Sequence, residues 1–227
     1  MKKIAITLNK GGTGKTTLTK SLATAATAAG LNVLILDMDT QQNAEKWGRR
    51  RKDRHDIELP LVQFVTEGDL VSELNRAGDA GCNLVLIDTP PGRNAEAPAA
   101  VEVADLVLMP FWNDQDSYDG LERTAVLARR MGKPAFALLN HSAPNSRIHE
   151  DTAREVMAAL GVEMAPHVLH RYDAHRVASA EGLTAQEIEP DSVPAREIAR
   201  IWDWLSATLQ MSTSAPVHKT TKQKVSS

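Results

Sequence analysis

Residues 9–17 read Asn9-Lys10-Gly11-Gly12-Thr13-Gly14-Lys15-Thr16-Thr17. An apolar stretch, Ile4-Ala5-Ile6-Thr7-Leu8, precedes them, and a helix-like stretch from Leu18 to Ala29 follows. Strand, glycine turn and helix is the setting of a phosphate-binding loop. The glycines let successive backbone N–H groups turn inward toward a phosphate. The start of the helix adds its partial positive charge. Lys15 has the reach for β- and γ-phosphates, and the Thr16 hydroxyl suits Mg²⁺.

Working outward, short β-rich apolar runs alternate with helical patterns. The strands are expected at Ile4–Leu8, Val33–Leu36, Leu61–Phe64, Leu84–Ile87, Leu106–Met109 and Ala135–Leu139. A weaker one is expected near Val162–Ala165 or His167–Leu169. The helices are expected at Thr16–Ala29, Gln42–Arg54, Gly68–Ala77, Ala95–Glu102, Ser117–Met131, Ser146–Leu160, Ala174–Ala180 and Pro194–Leu209. This alternation predicts an α/β fold with a doubly wound, mostly parallel sheet flanked by helices. Ligands of such sheets bind beyond the carboxyl ends of the strands. Candidate chemical residues do follow the strand runs: Asp37-Met38-Asp39 after the second, Asp88-Thr89-Pro90-Pro91-Gly92 after the fourth, and Asn140-His141 after the sixth. If the chain stays extended past Leu36, Asp37 and Asp39 face the site together, because side chains repeat every second residue.

Composition bounds the rest. With 227 residues, 42% of them hydrophobic, one substantial core is expected, as a domain over residues 1–210. The net charge of −3 argues against wholesale coating of nucleic acid. The single Cys82 excludes an internal disulfide framework and fits a reducing cytosol. No apolar run reaches membrane-span length. Met1-Lys2-Lys3 leads straight into the strand bearing the loop, which disfavours a secretory signal. Residues 211–227 contain Lys219, Lys222 and Lys224, no acidic residue and no aromatic one, and their composition predicts a basic, disordered tail. The cations Arg49, Arg50, Arg51, Lys52 and Arg54 admit two readings, a solvated helix end complementing the helix dipole or a nucleic-acid contact. His167, His170 and His175 do not have the spacing of a zinc site.

The run Lys10-Gly11-Gly12-Thr13-Gly14-Lys15-Thr16-Thr17 departs from the standard G-x-x-x-x-G-K-[ST] pattern, with Asn9 at its first glycine and an extra lysine at Lys10. It resembles the deviant Walker A box of the ParA/MinD family of P-loop ATPases. Asp37-Met38-Asp39-Thr40-Gln41 resembles that family's D-x-D-P-Q segment, with Thr40 where proline is usual, and Val85-Leu86-Ile87-Asp88 looks like a Walker B strand. The resemblance implies ATP bound by Lys10, Gly11, Gly12, Thr13, Gly14, Lys15, Thr16 and Thr17. Asn140 would contact adenine, although a strand-end turn explains that residue equally well. Mg²⁺ would be held by Thr16 and, through water, by Asp37 and Asp88. Catalysis would fall to Lys15, to Asp39 positioning the attacking water, and to Lys10 reaching the partner's nucleotide across a homodimer. Thr89-Pro90-Pro91-Gly92 resembles the switch segment that senses the γ-phosphate.

The looser late motifs, Arg171–Arg176 and Pro194-Ala195-Arg196-Glu197-Ile198, fit the family's last segment and final helix. With no N-terminal DNA-binding extension, the chain resembles the small single-domain ParA type. Such a protein is a cytoplasmic, nucleoid-associated switch. Its ATP-bound dimer holds non-specific DNA, here through Arg147, Arg171 and Arg176, and a small ParB-like or adaptor partner stimulates slow hydrolysis. A MinD-like membrane ATPase is the alternative, disfavoured because Ile201, Trp202, Trp204, Leu205 and Leu209 look like a packing face and the tail is nearly devoid of apolar residues. A P-loop metabolic enzyme of the same superfamily comes next, and no further motif supplies a substrate pocket for it.

Overall fold

The computed structural model describes residues 1–92, 95–142 and 147–211. The strands are β1 (Lys2–Ile6), β2 (Val33–Asp37), β3 (Leu61–Phe64), β4 (Leu84–Asp88), β5 (Leu106–Phe111), β6 (Ala135–Ser142), β7 (Glu163–Met164) and β8 (Leu169–His170). The helices are α1 (Lys15–Ala28), α2 (Asn43–His55), α3 (Leu70–Asp79), α4 (Glu96–Val103), α5 (Gln115–Arg130), α6 (Arg147–Leu160), α7 (Asp173–Glu181), α8 (Ala185–Ile188) and α9 (Val193–Thr208). The sheet runs β3-β2-β4-β1-β5-β6-β7, and β8 pairs with the far end of β6. Each of these pairings is parallel. Both weak strand candidates therefore form, one after the other along β6.

The apolar runs lack polar alternation because both faces of the sheet are covered. On one face Ile4, Ile6, Leu84, Leu86, Leu106 and Leu108 pack beneath α1 and α9. The intervening residues point the other way. Ala5, Val85 and Ile87 meet α3 and α4, while Val107 and Met109 meet α5 and α6. This is the doubly wound arrangement. The order reverses around β1, which lies between β4 and β5, so the loop after β1 opens at the switch point where such sheets bind ligands.

The five-cation stretch is absorbed by the fold. Arg51 is only 4% exposed, stacks 5.2 Å from the Trp47 ring and pairs with Glu187. Arg49 pairs with Glu45 at 2.6 Å, Lys52 with Glu58 at 2.9 Å and Arg54 with Glu181 at 2.7 Å. Arg50 donates to the Ser179 carbonyl at 3.2 Å. α7 fits this closely against α2 because Gly182 ends it at φ 83°, where a Cβ would meet the Arg51 nitrogen at 2.6 Å. Of the two readings of this stretch, the structure favours the helix end, with the cations matched by acids and carbonyls of the same chain.

Candidate functional site

α1 begins at Gly14 in the left-handed region (φ 87°), with no side-chain cap and no acid in its first turn. Asp114 caps α5, Thr184 caps α8 and Ser192 caps α9, whereas α2, α3, α4 and α7 share with α1 the lack of a hydrogen bond from the N-cap side chain, and what sets α1 apart is the glycine turn that leads into it. An uncapped helix start beside a glycine turn keeps its N–H groups for an anion. Gly12 also has positive φ, and among the described residues nothing beyond its own chain neighbours lies within 4 Å of where its Cβ would stand. That opening belongs to a cavity of about 440 Å³ lined by Gly12 to Thr17, Asp39, Gln41, Thr89 and Pro91. The Lys15 ammonium lies under the loop, donating to the Lys10 carbonyl at 2.9 Å and the Leu8 carbonyl at 3.4 Å. Burial lowers its pKa, and Asp88 and Asp39 partly offset that.

The three aspartates part company. Asp88 ends β4 fully buried, and its Oδ2 has no hydrogen-bond partner among the described residues. Desolvation pushes its pKa up to about 7, and nearby Asp37 adds to this, against the Thr16 hydroxyl, Lys15 and Lys20. An orphaned buried carboxylate oxygen beside a threonine hydroxyl and a phosphate loop is a fitting set for Mg²⁺ and its water shell. Asp39, by contrast, is half-exposed on the cavity wall, its Oδ1 accepting from the Gln41 N–H at 2.8 Å. Asp37 turns inward. Its Oδ1 accepts from the Asp39 N–H at 3.0 Å, and its Oδ2 from the N–H groups of Ala44 (2.9 Å) and Glu45 (3.1 Å). The expectation that Asp37 and Asp39 share a face is thus corrected. β2 ends at Asp37, the two-residue alternation ends with it, and Asp37 clamps the start of α2.

Lys10 stands at the loop's other rim. Its ammonium pairs with Asp114 at 2.5 Å and lies 6.0 Å from the Trp112 ring. Trp112 in turn stacks on His141 at 4.7 Å. Asn140, 2% exposed, donates from Nδ2 to the Thr13 carbonyl at 2.7 Å and accepts on Oδ1 from the His141 N–H at 2.9 Å. A Cβ at Gly14 would collide with this amide, so Asn140 buttresses the loop. It also borders a second cavity of about 280 Å³, with Thr17, His141, Tyr172 and His175. Arg171 and Arg176 line the same cavity and are exposed. Arg147 is the first residue of α6, and Lys219, Lys222 and Lys224 lie outside the described residues. Of the three neighbouring histidines, His170 and His175 both line the second cavity, His170 held between Glu197 (2.7 Å) and Glu150 (3.5 Å), while His167 borders another cavity with His170.

Sequence reasoning passed over Trp112, Asp114 and the buried Lys20, gave His141 no role beyond its place after Asn140, and weighed His175 only as a zinc ligand. The strand-end rule reaches Trp112 and Asp114, which follow β5, and His141, which follows Asn140. Only tertiary contacts reveal Lys20, which donates to Ser179 at 2.7 Å with burial lowering its pKa to about 8.

Among solved structures, MinD of Pyrococcus horikoshii in complex with Mg-ADP shares this fold. Its TM-score is 0.73 at 19% identity, covering 92% of this chain and 97% of that one. In sequence the chain is 32% identical over 212 residues to the maintenance of carboxysome distribution protein A of Gloeobacter kilaueensis, covering 88% of this chain and 94% of that protein. It is 28% identical over 214 residues to the chromosome partitioning protein ParA of Caulobacter vibrioides, covering 74% and 80%. The family model described as the CobQ/CobB/MinD/ParA nucleotide binding domain matches residues 4–185, which hold the phosphate loop, all three aspartates and both cavities, and the chain belongs to that family.

Proposed function

We propose that this chain is a ParA-like ATPase, an ATP-dependent dimerisation switch that binds DNA irrespective of sequence and positions a cargo such as a plasmid, a chromosome or a protein assembly. The observation that carries the reading is the cavity joining the uncapped start of α1 to Asp39, with the buried Asp88 close to Lys15 beneath the loop. In this reading the loop N–H groups and Lys15 hold the phosphates. Asp39, the half-exposed carboxylate on the cavity wall, orients the attacking water. Thr16 and, through water, Asp88 would hold Mg²⁺, which would supply charge neutralisation at the phosphate oxygens. Asp37 acts one step back by fixing the Asp39 backbone. Lys10 leaves Asp114 to reach a second protomer's nucleotide. The relatives named for carboxysome distribution and chromosome partitioning support a positioning role and, with it, a small ParB-like or adaptor partner in a cytoplasmic, nucleoid-associated cycle. The apolar face of α9 is spent in the core (Ile201, Trp202 and Leu205 are buried), which weighs against using it as a membrane anchor.

The test is light scattering and DNA shift on the same samples, with ATP, with ADP and without nucleotide. ATP should double the mass and bring about DNA binding that fades with salt. An unchanged mass and no nucleotide-dependent shift at low salt would overturn the reading.

A further inference from the structure

The second cavity has a polar group that the phosphate site does not use. His175 has both ring nitrogens shut off from solvent and without a hydrogen-bond partner among the described residues. A buried imidazole without partners forfeits hydrogen bonds that water would give it, and such a group in a native fold calls for a ligand. The cavity is continuous in sequence with the phosphate loop through Thr17. A nucleotide with its phosphates on the loop would therefore carry its base past Thr17 toward His175. Asn140, the residue that sequence reasoning puts on the base, already spends an amide hydrogen on Thr13 and a lone pair on His141.

From this geometry we infer that His175 is the specificity-determining residue for the purine base, its ring turning a nitrogen into the cavity to accept a hydrogen bond from the 6-amino group of adenine, with Asn140 holding the loop. The inference rests on reading the loop as a nucleoside triphosphate site. The ring is suited to the role. Burial, with His141 adding and Glu197 opposing, lowers its pKa, so at neutral pH it is uncharged and keeps a lone pair to accept with. Its setting is firm, since Glu197 of α9 fixes the chain just ahead of α7. That carboxylate accepts from the His170 N–H at 3.0 Å and from the Tyr172 hydroxyl at 3.2 Å.

The test compares binding of ATP, the triphosphate of unsubstituted purine riboside and inorganic tripolyphosphate to wild type, His175→Phe and His175→Gln. Wild type should favour ATP over the purine analogue by about tenfold, the worth of one buried hydrogen bond. His175→Phe should erase that preference and leave tripolyphosphate binding unchanged, while His175→Gln, which keeps an acceptor, should restore much of it. Should His175→Phe not fold, the ring ¹⁵N resonances of His175 in wild type decide: they should move with ATP and stay put with tripolyphosphate. A preference that survives in His175→Phe, a wild type that does not discriminate, or unmoved ring resonances overturns the inference and leaves the phosphate site standing. A wild type that binds none of the three overturns the phosphate site as well.

Discussion

Asp88 carries the clearest conflict between stability and function in the molecule. A fully buried carboxylate whose pKa rises from 3.8 to about 7 holds its proton more tightly folded than unfolded. Its stabilising contribution is therefore present below pH 4 and is lost as pH climbs through 7. Across that window the nucleotide-free protein should lose on the order of 4 kcal/mol at most from this group, at about 1.4 kcal/mol per pKa unit. Asp88→Asn should accordingly melt higher than wild type at pH 8, with the advantage shrinking toward pH 5. A melting difference that does not vary with pH would refute this account of Asp88. Lys15 and Asp39 separate binding from turnover. Lys15→Ala removes the cation beneath the loop and should abolish ATP binding by calorimetry. Asp39→Ala leaves the loop intact and should bind ATP yet persist as a dimer for hours in sizing runs. Turnover at the wild-type rate in Asp39→Ala would move water positioning to another group. Lys10 is distinguished by its partner. Asp114→Asn preserves the cap on Ser117 but frees the ammonium, so ATP-driven dimerisation should proceed more readily, whereas Lys10→Ala should bind ATP and dimerise poorly.

At the level of elements, the starts of α1 and α2 differ in what meets their N–H groups. On α2 they are spent on Asp37, which accepts from Ala44 and Glu45 while also holding the Asp39 N–H. Asp37→Ala strands three donors, and chemical denaturation should show a loss on the order of 3 kcal/mol. A loss below 1 kcal/mol would mean that water replaces the carboxylate freely. The strands were legible in sequence because parallel strands buried on both faces are nearly continuous apolar runs, and Asp39 and Asp88 were legible because they follow such runs. The inward turn of Asp37 was not, because extended alternation holds only while the strand lasts, and where β2 stops depends on its pairing with β3 and β4. The fate of Arg51 was equally hidden. Its partner Glu187 is more than a hundred residues away, and composition alone shows only a run of cations. His175 carried no spacing signal, since its surroundings come from α7, β6 and α1 together.

For the whole molecule, charge decides where DNA could sit. With a net charge of −3, the chain needs a local patch, and the largest cationic run in the sequence is paired within the fold. Arg171 and Arg176 remain exposed at the carboxyl edge of the sheet, beside the cavities. Among the described residues, their one ion pair is a long, exposed contact of 3.6 Å between Arg176 and Asp173. Two such patches brought together by dimerisation gain through effective concentration what neither has alone, and this would make DNA affinity follow ATP. Each arginine placed on a phosphate releases about one counterion. Arg171→Glu/Arg176→Glu should therefore weaken ATP-dependent binding of random-sequence DNA and flatten its log–log salt slope by roughly two per protomer. Arg49→Glu, which removes an exposed cation from its pair with the partly buried Glu45, should leave that slope unchanged. The comparison needs both variants to dimerise with ATP, because the arginine pair also borders the cavity assigned to the base. If the double variant dimerises and binds DNA with the wild-type slope, the DNA surface lies elsewhere, with the first turn of α6 the next place to look.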